Sequence, residues 1–278
     1  MVPVSPTEYF LLIGLGAAVG AYGTLIGAGG GFVLMPVLLM LHPEAKPDQL
    51  TAISLAVVFF NALSGSQSYA FMKRIDYKSG LMFAAATIPG AIIGALNTSA
   101  VPRHVFNGIF AVLLIGAAFF LSWRPKVAPR SETHVHSPYA WRIVETADGE
   151  RLYYNFNPLL GIVISLAVGY LSSFLGIGGG IIHVPALVFF LDFPVHIATA
   201  TSQFMLAIMA LTGTLVHIWD GSLKPGVEYT LCLAIGVLLG SPVGAQLSSR
   251  LQGRWIIRSL ALALGVVGIR ILFMFFAH

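Results

Sequence analysis

The sequence predicts an all-α integral membrane protein with about eight transmembrane helices, arranged as two four-span repeats. The first helix of each repeat is broken at a glycine-rich cluster and followed by a half-helix. Three observations predict this. First, 57% of the 278 residues are hydrophobic and 9% are charged, against roughly 25% charged in a soluble domain. Second, mean hydropathy is +0.86, and apolar runs of the roughly 20 residues a spanning helix needs recur along the chain. Third, Gly27-Ala28-Gly29-Gly30-Gly31 returns 149 residues later as Gly176-Ile177-Gly178-Gly179-Gly180, and each cluster is followed five residues on by a proline, Pro36 or Pro185.

The candidate spans are, in order, Glu8–Leu41 (broken at the first cluster), Gln49–Phe71, Ser79–Leu96, His104–Trp123, Pro158–Leu191 (broken at the second cluster), Val195–Trp219, Val227–Leu247 and Trp255–Phe276. No basic region precedes the first apolar stretch, so it reads as a helix and not as a cleaved signal peptide. Tyr9–Ile26 is almost a full span, whereas Phe32–Leu41 is about half of one at ~1.5 Å rise per residue. The pair is either one discontinuous crossing or a span followed by a re-entrant half-helix. The repeat extends past the clusters: Thr51-Ala52-Ile53-Ser54 matches Thr199-Ala200-Thr201-Ser202, and Ser64-Gly65-Ser66 matches Thr212-Gly213-Thr214. The chain thus divides into a first repeat (1–123), a polar linker (124–157) and a second repeat (158–278). Four spans per repeat make the halves parallel, related by an axis along the membrane normal.

Net charge is +4, which in a polytopic chain reads as loop lysine and arginine setting orientation and not as nucleic-acid binding. On this count one face receives the N-terminus, Lys73, Arg74, Lys78, Arg124, Lys126, Arg130, Arg142, Arg151, Lys224 and the C-terminus. The other receives Lys46, Arg103, Arg250, Arg254 and Arg258. Both termini are then expected in the cytoplasm. Within the linker, Asp148-Gly149 between apolar stretches signals a small hairpin. Cys232 is the one cysteine, so no intrachain disulfide forms.

The chemistry narrows by exclusion. No Asp or Glu lies deep in any span, and Arg270 sits near the chain end where it can snorkel. Cation pathways, proton pumps and carboxylate metal sites use such carboxylates. A neutral or anionic substrate fits better, with no metal and no cofactor expected. The clusters fit an anion, because a glycine break at a helix start exposes N–H groups at a positive helix end. The candidate binding groups are the backbones of Gly29, Gly30, Gly31 and Phe32, and of Gly178, Gly179, Gly180 and Ile181. Side chains from the flanking spans add Thr51, Ser54, Asn61, Thr201, Ser202 and Gln203. His183 is a further ligand candidate, and His183 and His217 are candidates for gating or proton coupling. Each also has a plainer reading: glycines let helices pack closely, and buried hydroxyls and amides bond helix to helix. His134 and His136 form a solvated pair. No phosphate loop and no nucleophile motif is present, so no enzyme is expected.

The duplicated Gly-x-Gly-Gly-Gly with its downstream proline, in two halves about a polar linker, resembles the TauE/SafE family of membrane transporters, the sulfite exporters. The resemblance covers nearly the whole chain outside Arg124–Asn157. It implies a multi-pass inner-membrane carrier of small sulfur-containing anions such as sulfite, thiosulfate or organosulfonates like sulfoacetate, with export the usual direction. An uptake permease, proton-coupled or not, and an anion channel for similar anions are the alternatives.

Overall fold

The computed structural model describes residues 6–123 and 140–276, and His134, His136, Arg124, Lys126 and Arg130 lie outside them. Ten α-helices occur in the described residues: α1 (Pro6–Leu25), α2 (Gly31–Leu41), α3 (Pro47–Phe71), α4 (Tyr77–Thr98), α5 (Arg103–Trp123), α6 (Pro158–Leu175), α7 (Gly180–Phe190), α8 (Val195–Trp219), α9 (Val227–Arg250) and α10 (Gly253–Phe276). Eight are long and apolar enough to cross a membrane; α2 and α7, of 11 residues each, are not. Local chemistry sets the ends. Proline opens α3 and α6, where its missing N–H costs nothing. Asn157 caps α6, and the Asp76 carboxylate caps α4 by accepting from Ser79 N at 3.1 Å.

Between α5 and α6, strands β1 (Ala140–Glu145) and β2 (Arg151–Phe156) form an antiparallel hairpin whose turn holds Gly149 at φ 81°. The hairpin is fixed to the α3–α4 turn. Tyr154 OH donates to Asp76 Oδ2 at 2.8 Å, Arg142 Nε donates to Ser79 Oγ, and Ala147 N donates to the Met72 carbonyl. Tyr154, Phe156, Phe83 and Phe193 pack tilted and edge-on around this junction.

Small residues bring the helices together. α1 packs on α9 through Gly16, Gly20, Gly240 and Gly244, and α4 packs on α6 through Gly90, Gly94 and Gly169. At most of these glycines a side chain would run into the facing backbone. Gly16 faces Gly236 while Gly244 faces Ala21, so α1 and α9 run in the same direction. Across α3 and α8, Gly65 meets Gln203 and Gly213 meets Leu55, so these two run antiparallel.

These directions correct the sequence reading of the topology. α2 returns to the end from which α1 started. At that end His42 packs edge-on against Tyr229, Arg103 bonds the carbonyls of His42 and Ala45, and Ser222 bonds Asp48. α1 and α2 therefore make an excursion with no net crossing. The half before the hairpin and the half after it consequently run in opposite senses, not parallel as expected. The start of α1 and the hairpin lie at opposite ends of the bundle, so the N-terminal segment and the linker do not share a face. Lys73, Arg74, Lys78, Arg142, Arg151, Arg250, Arg254 and Arg258 gather at the hairpin end; Lys46, Arg103 and Lys224 lie at the other, towards which α10 carries Arg270.

Candidate functional site

The two glycine clusters meet in the middle of the bundle. Gly27, Gly29 and Gly30 take φ of 72° to 77°, and Gly176, Gly178 and Gly179 take 59° to 81°. This left-handed backbone is open to glycine at little cost and turns the chain sharply at each break. The contact is reciprocal. A Cβ on Gly31 would lie 2.8 Å from the Gly176 carbonyl oxygen, and one on Gly180 would collide with the Gly27 carbonyl. Val58 of α3 covers both Gly29 and Gly178, and Leu206 of α8 lies over Gly29 and Gly180. All of these residues are buried.

Two helix starts therefore converge head to head. α2 begins after Gly30 and α7 after Gly179. Among the described hydrogen bonds, the amides of Gly30, Gly31, Phe32, Gly178, Gly179 and Ile181 have no acceptor, whereas Gly29 N bonds the Gly23 carbonyl and Gly180 N the Gly178 carbonyl. Each helix start carries roughly half a positive charge. The arrangement is suited to an anion, but in this conformation the clusters pack directly on one another under Val58 and Leu206. The expected geometry, an anion with one helix start on either side, requires the two halves to separate.

The flanking serines form a matched pair. Ser54 Oγ donates to the Gly176 carbonyl and Ser202 Oγ to the Gly27 carbonyl. Thr51 abuts Gly176 with its hydroxyl unpartnered, and Thr199 abuts Gly27. Each serine ties one half's second span to the other half's glycine break.

The polar groups beyond this pair are unequal. Asn61 Oδ1 accepts from Thr24 Oγ1 at 2.9 Å and from Ser241 Oγ, leaving Asn61 Nδ2 without a partner. Gln203 Nε2 reaches the Gly23 carbonyl at 3.4 Å, leaving Oε1 free. At the register that aligns Thr51 with Thr199, Asn61 corresponds to Met209 and Gln203 to Leu55. Both amides thus lie in one polar patch beside the first cluster.

Three further candidates have separate positions. Thr201 Oγ1 accepts from Asp76 N at 3.1 Å at the hairpin end, away from the clusters, because one residue from Ser202 is about 100° round the helix. His217 lies at the opposite end, with Nδ1 3.4 Å from Asp220. His183 sits one turn into α7, buried, with neither ring nitrogen partnered. The sequence reading missed Thr24, Ser241, Ser172 and Ser173. Ser172 flanks Gly179, and Ser173 occupies the register of Thr24, three residues before its cluster. Among the described residues, no group of His, Cys, Asp and Glu is placed to hold a metal. A cavity of about 430 Å³ between α5, α6 and α7 is lined by apolar side chains including Leu113, Phe120, Ile164, Leu171, Ile181 and Pro185, which suits acyl chains and not an anion.

The family model described as sulfite exporter TauE/SafE matches residues 12–271. A probable membrane transporter protein of Bacillus subtilis, YunE, is 31% identical, covering 96% of this chain and 98% of its own. A probable membrane transporter protein of Methanocaldococcus jannaschii, MJ0441, is 25% identical over 93% of each chain. No solved structure matches.

Proposed function

The chain belongs to the sulfite exporter TauE/SafE family, and on that premise we infer that it is a secondary transporter that exports small sulfur-containing anions across the inner membrane. The substrate class is sulfite, thiosulfate or an organosulfonate such as sulfoacetate. The observation that carries this reading is the head-to-head meeting of the α2 and α7 starts, with unpaired amides at both and no carboxylate among the side chains packed on them. Such amides hold an oxyanion without a counter-charge.

The two glycine-broken units are inverted repeats, and the anion lies between them. Ser54, Ser202, Asn61 and Gln203 complete its shell. The closed crossing is an occluded conformation, and rocking of one repeat on the other opens it alternately to each side. The concentration of basic residues at the hairpin end makes that end cytoplasmic, with the start of α1 outside. A potential negative inside favours exit by ~2.3 kcal/mol per charge per 100 mV, twice that for a dianion. Export therefore needs no coupling ion.

The test is flux from loaded proteoliposomes across sulfite, thiosulfate, sulfoacetate, sulfate and taurine under an imposed potential. An exporter shows saturable efflux, accelerated by a potential negative inside, with counterflow on trans substrate. Efflux without counterflow identifies a channel, and accumulation driven by a proton gradient identifies an uptake permease. No movement of any sulfur anion refutes the proposal.

A further inference from the structure

The two ends of the bundle differ in charge where a path to the clusters would open. At the hairpin end Arg74 follows α3. Its side chain is 12% exposed, its NH1 is buried with no partner, and its NH2 stands 3.9 Å from Asp148 at the hairpin tip, a side chain 81% exposed. The pair is thus long and one-sided: a sheltered guanidinium half-used by a carboxylate that sits mostly in solvent.

Arg74 also heads a file of buried polar groups. Its amide donates to the Tyr69 carbonyl at 3.2 Å, and Tyr69 OH donates to the Thr24 carbonyl at 2.8 Å. Thr24 Oγ1 bonds Asn61, and Gly65 leaves room beside both Thr24 and Gln203. Gln203 reaches the Gly23 carbonyl, which also accepts from Ala28 N and Gly29 N in the first glycine break. Along this file Arg74 NH1, Asn61 Nδ2, Gln203 Oε1 and the nearby Ser248 Oγ are buried and unpartnered. Asn61, Gln203 and Ser248 are fully buried.

At the matching register on the opposite side the file ends in acids. His217 stands in place of Tyr69 and Ser222 in place of Arg74. Ser222 Oγ bonds Asp48 at 3.3 Å, its amide bonds Asp220 at 2.8 Å, and His217 faces Asp220. One end offers an anion a sheltered guanidinium, and the other offers two carboxylates.

We propose that Arg74 is the docking site for the transported oxyanion at the hairpin end, and that Asp148 of the hairpin occupies the guanidinium between turnovers and is displaced by the substrate. The proposal rests on the transporter reading above and adds where the anion loads. A planar guanidinium takes two oxygens of a sulfite or sulfonate group as it takes those of a carboxylate. The anion then passes down the Tyr69–Thr24–Asn61 file to the free amides and leaves past Asp48 and Asp220, which repel its return.

The experiment measures initial rates of sulfite and sulfoacetate flux in proteoliposomes, with anion presented separately at each face. Orientation is set with an impermeant label on a hairpin cysteine introduced as Glu150→Cys. Arg74→Gln should raise KM at the hairpin face about tenfold, the worth of one charged hydrogen bond, and leave KM at the other face unchanged. Asp148→Asn, at an exposed position that does not endanger folding, should lower KM at the hairpin face about threefold, as expected for a solvent-facing ion pair, and have no effect in the Arg74→Gln background. An unchanged KM at the hairpin face in Asp148→Asn overturns the gate even if Arg74→Gln does not fold. A KM raised equally at both faces by Arg74→Gln makes Arg74 structural and overturns the docking role. Wild-type protein that moves no sulfur anion removes the transporter reading itself.

Discussion

Gly31 lies against the Gly176 peptide so closely that a methyl group on it would stand 2.8 Å from the Gly176 carbonyl oxygen. Gly31 is in ordinary helical backbone, so the obstacle to alanine there is contact between the two halves and not local strain. Gly31→Ala should destabilise the protein by about 1–3 kcal/mol, the usual cost of overpacking, and should abolish anion flux. Gly116→Ala is the control, because nothing lies within 4 Å of a Cβ there. Thermal unfolding in detergent and proteoliposome flux check both. Full flux in Gly31→Ala would show that the clusters need not separate and close during transport.

Asn61 holds two hydroxyls on one oxygen and keeps an unused amide beside the clusters. A hydrogen bond between membrane helices contributes on average about 0.6 kcal/mol. Asn61→Leu should therefore shift thermal unfolding little while lowering flux at least about tenfold, the effect of one lost substrate contact near 1.4 kcal/mol. A matching loss of stability and flux would instead mark Asn61 as a tie between α1, α3 and α9.

The glycine breaks were legible because left-handed backbone and close approach both select glycine, and their repetition at a fixed spacing is visible without a structure. The direction of the chain after each break was not. Phe32–Leu41 doubles back towards the start of α1 instead of completing a crossing, and loop charges tallied on a completed crossing mislead. The pairing of Ser54 with Ser202 was legible from their register, and each meets the other half's glycine break. Thr24 was overlooked because a lone threonine in an apolar helix has no periodic signature, although Ser173 repeats it just ahead of the second cluster. Thr201 was misplaced because sequence gives a residue's level along a helix and leaves open which neighbour it faces.

The hairpin's attachment depends on Asp76, a buried carboxylate that accepts from Tyr154 OH and Ser79 N and stands 3.6 Å from Arg142 Nε. Asp76→Ala removes the α4 cap and leaves Arg142 without its counter-charge, for a loss of about 3 kcal/mol. Tyr154→Phe removes one hydrogen bond to a charged group, for about 1.5–3 kcal/mol. Both should speed proteolysis within 140–156 in the folded protein, and Asp76→Ala should do so more. Equal, slow cleavage in both variants would mean that the Tyr154–Phe156–Phe193 aromatic packing alone holds the hairpin.

At the other end, Arg103 closes α2 by donating to the carbonyls of Leu39, His42 and Ala45 at 2.6, 3.0 and 2.7 Å. His42, between them, stacks edge-on against Tyr229 and has a buried Nε2 without a partner. Burial, reinforced by the nearby Arg103 charge and opposed by Glu8, holds the His42 pKa below its ordinary 6.5. The folded state therefore binds the proton less readily than the unfolded state. The contribution of neutral His42 to stability is full well above pH 6.5 and declines as pH falls below it. Thermal unfolding at pH 7.5 and at pH 5.5 should show a drop on acidification that is smaller in His42→Gln than in the wild type. An equal drop in the two proteins would assign the acid sensitivity to other buried groups and leave Arg103 as the sole determinant of the α2 end.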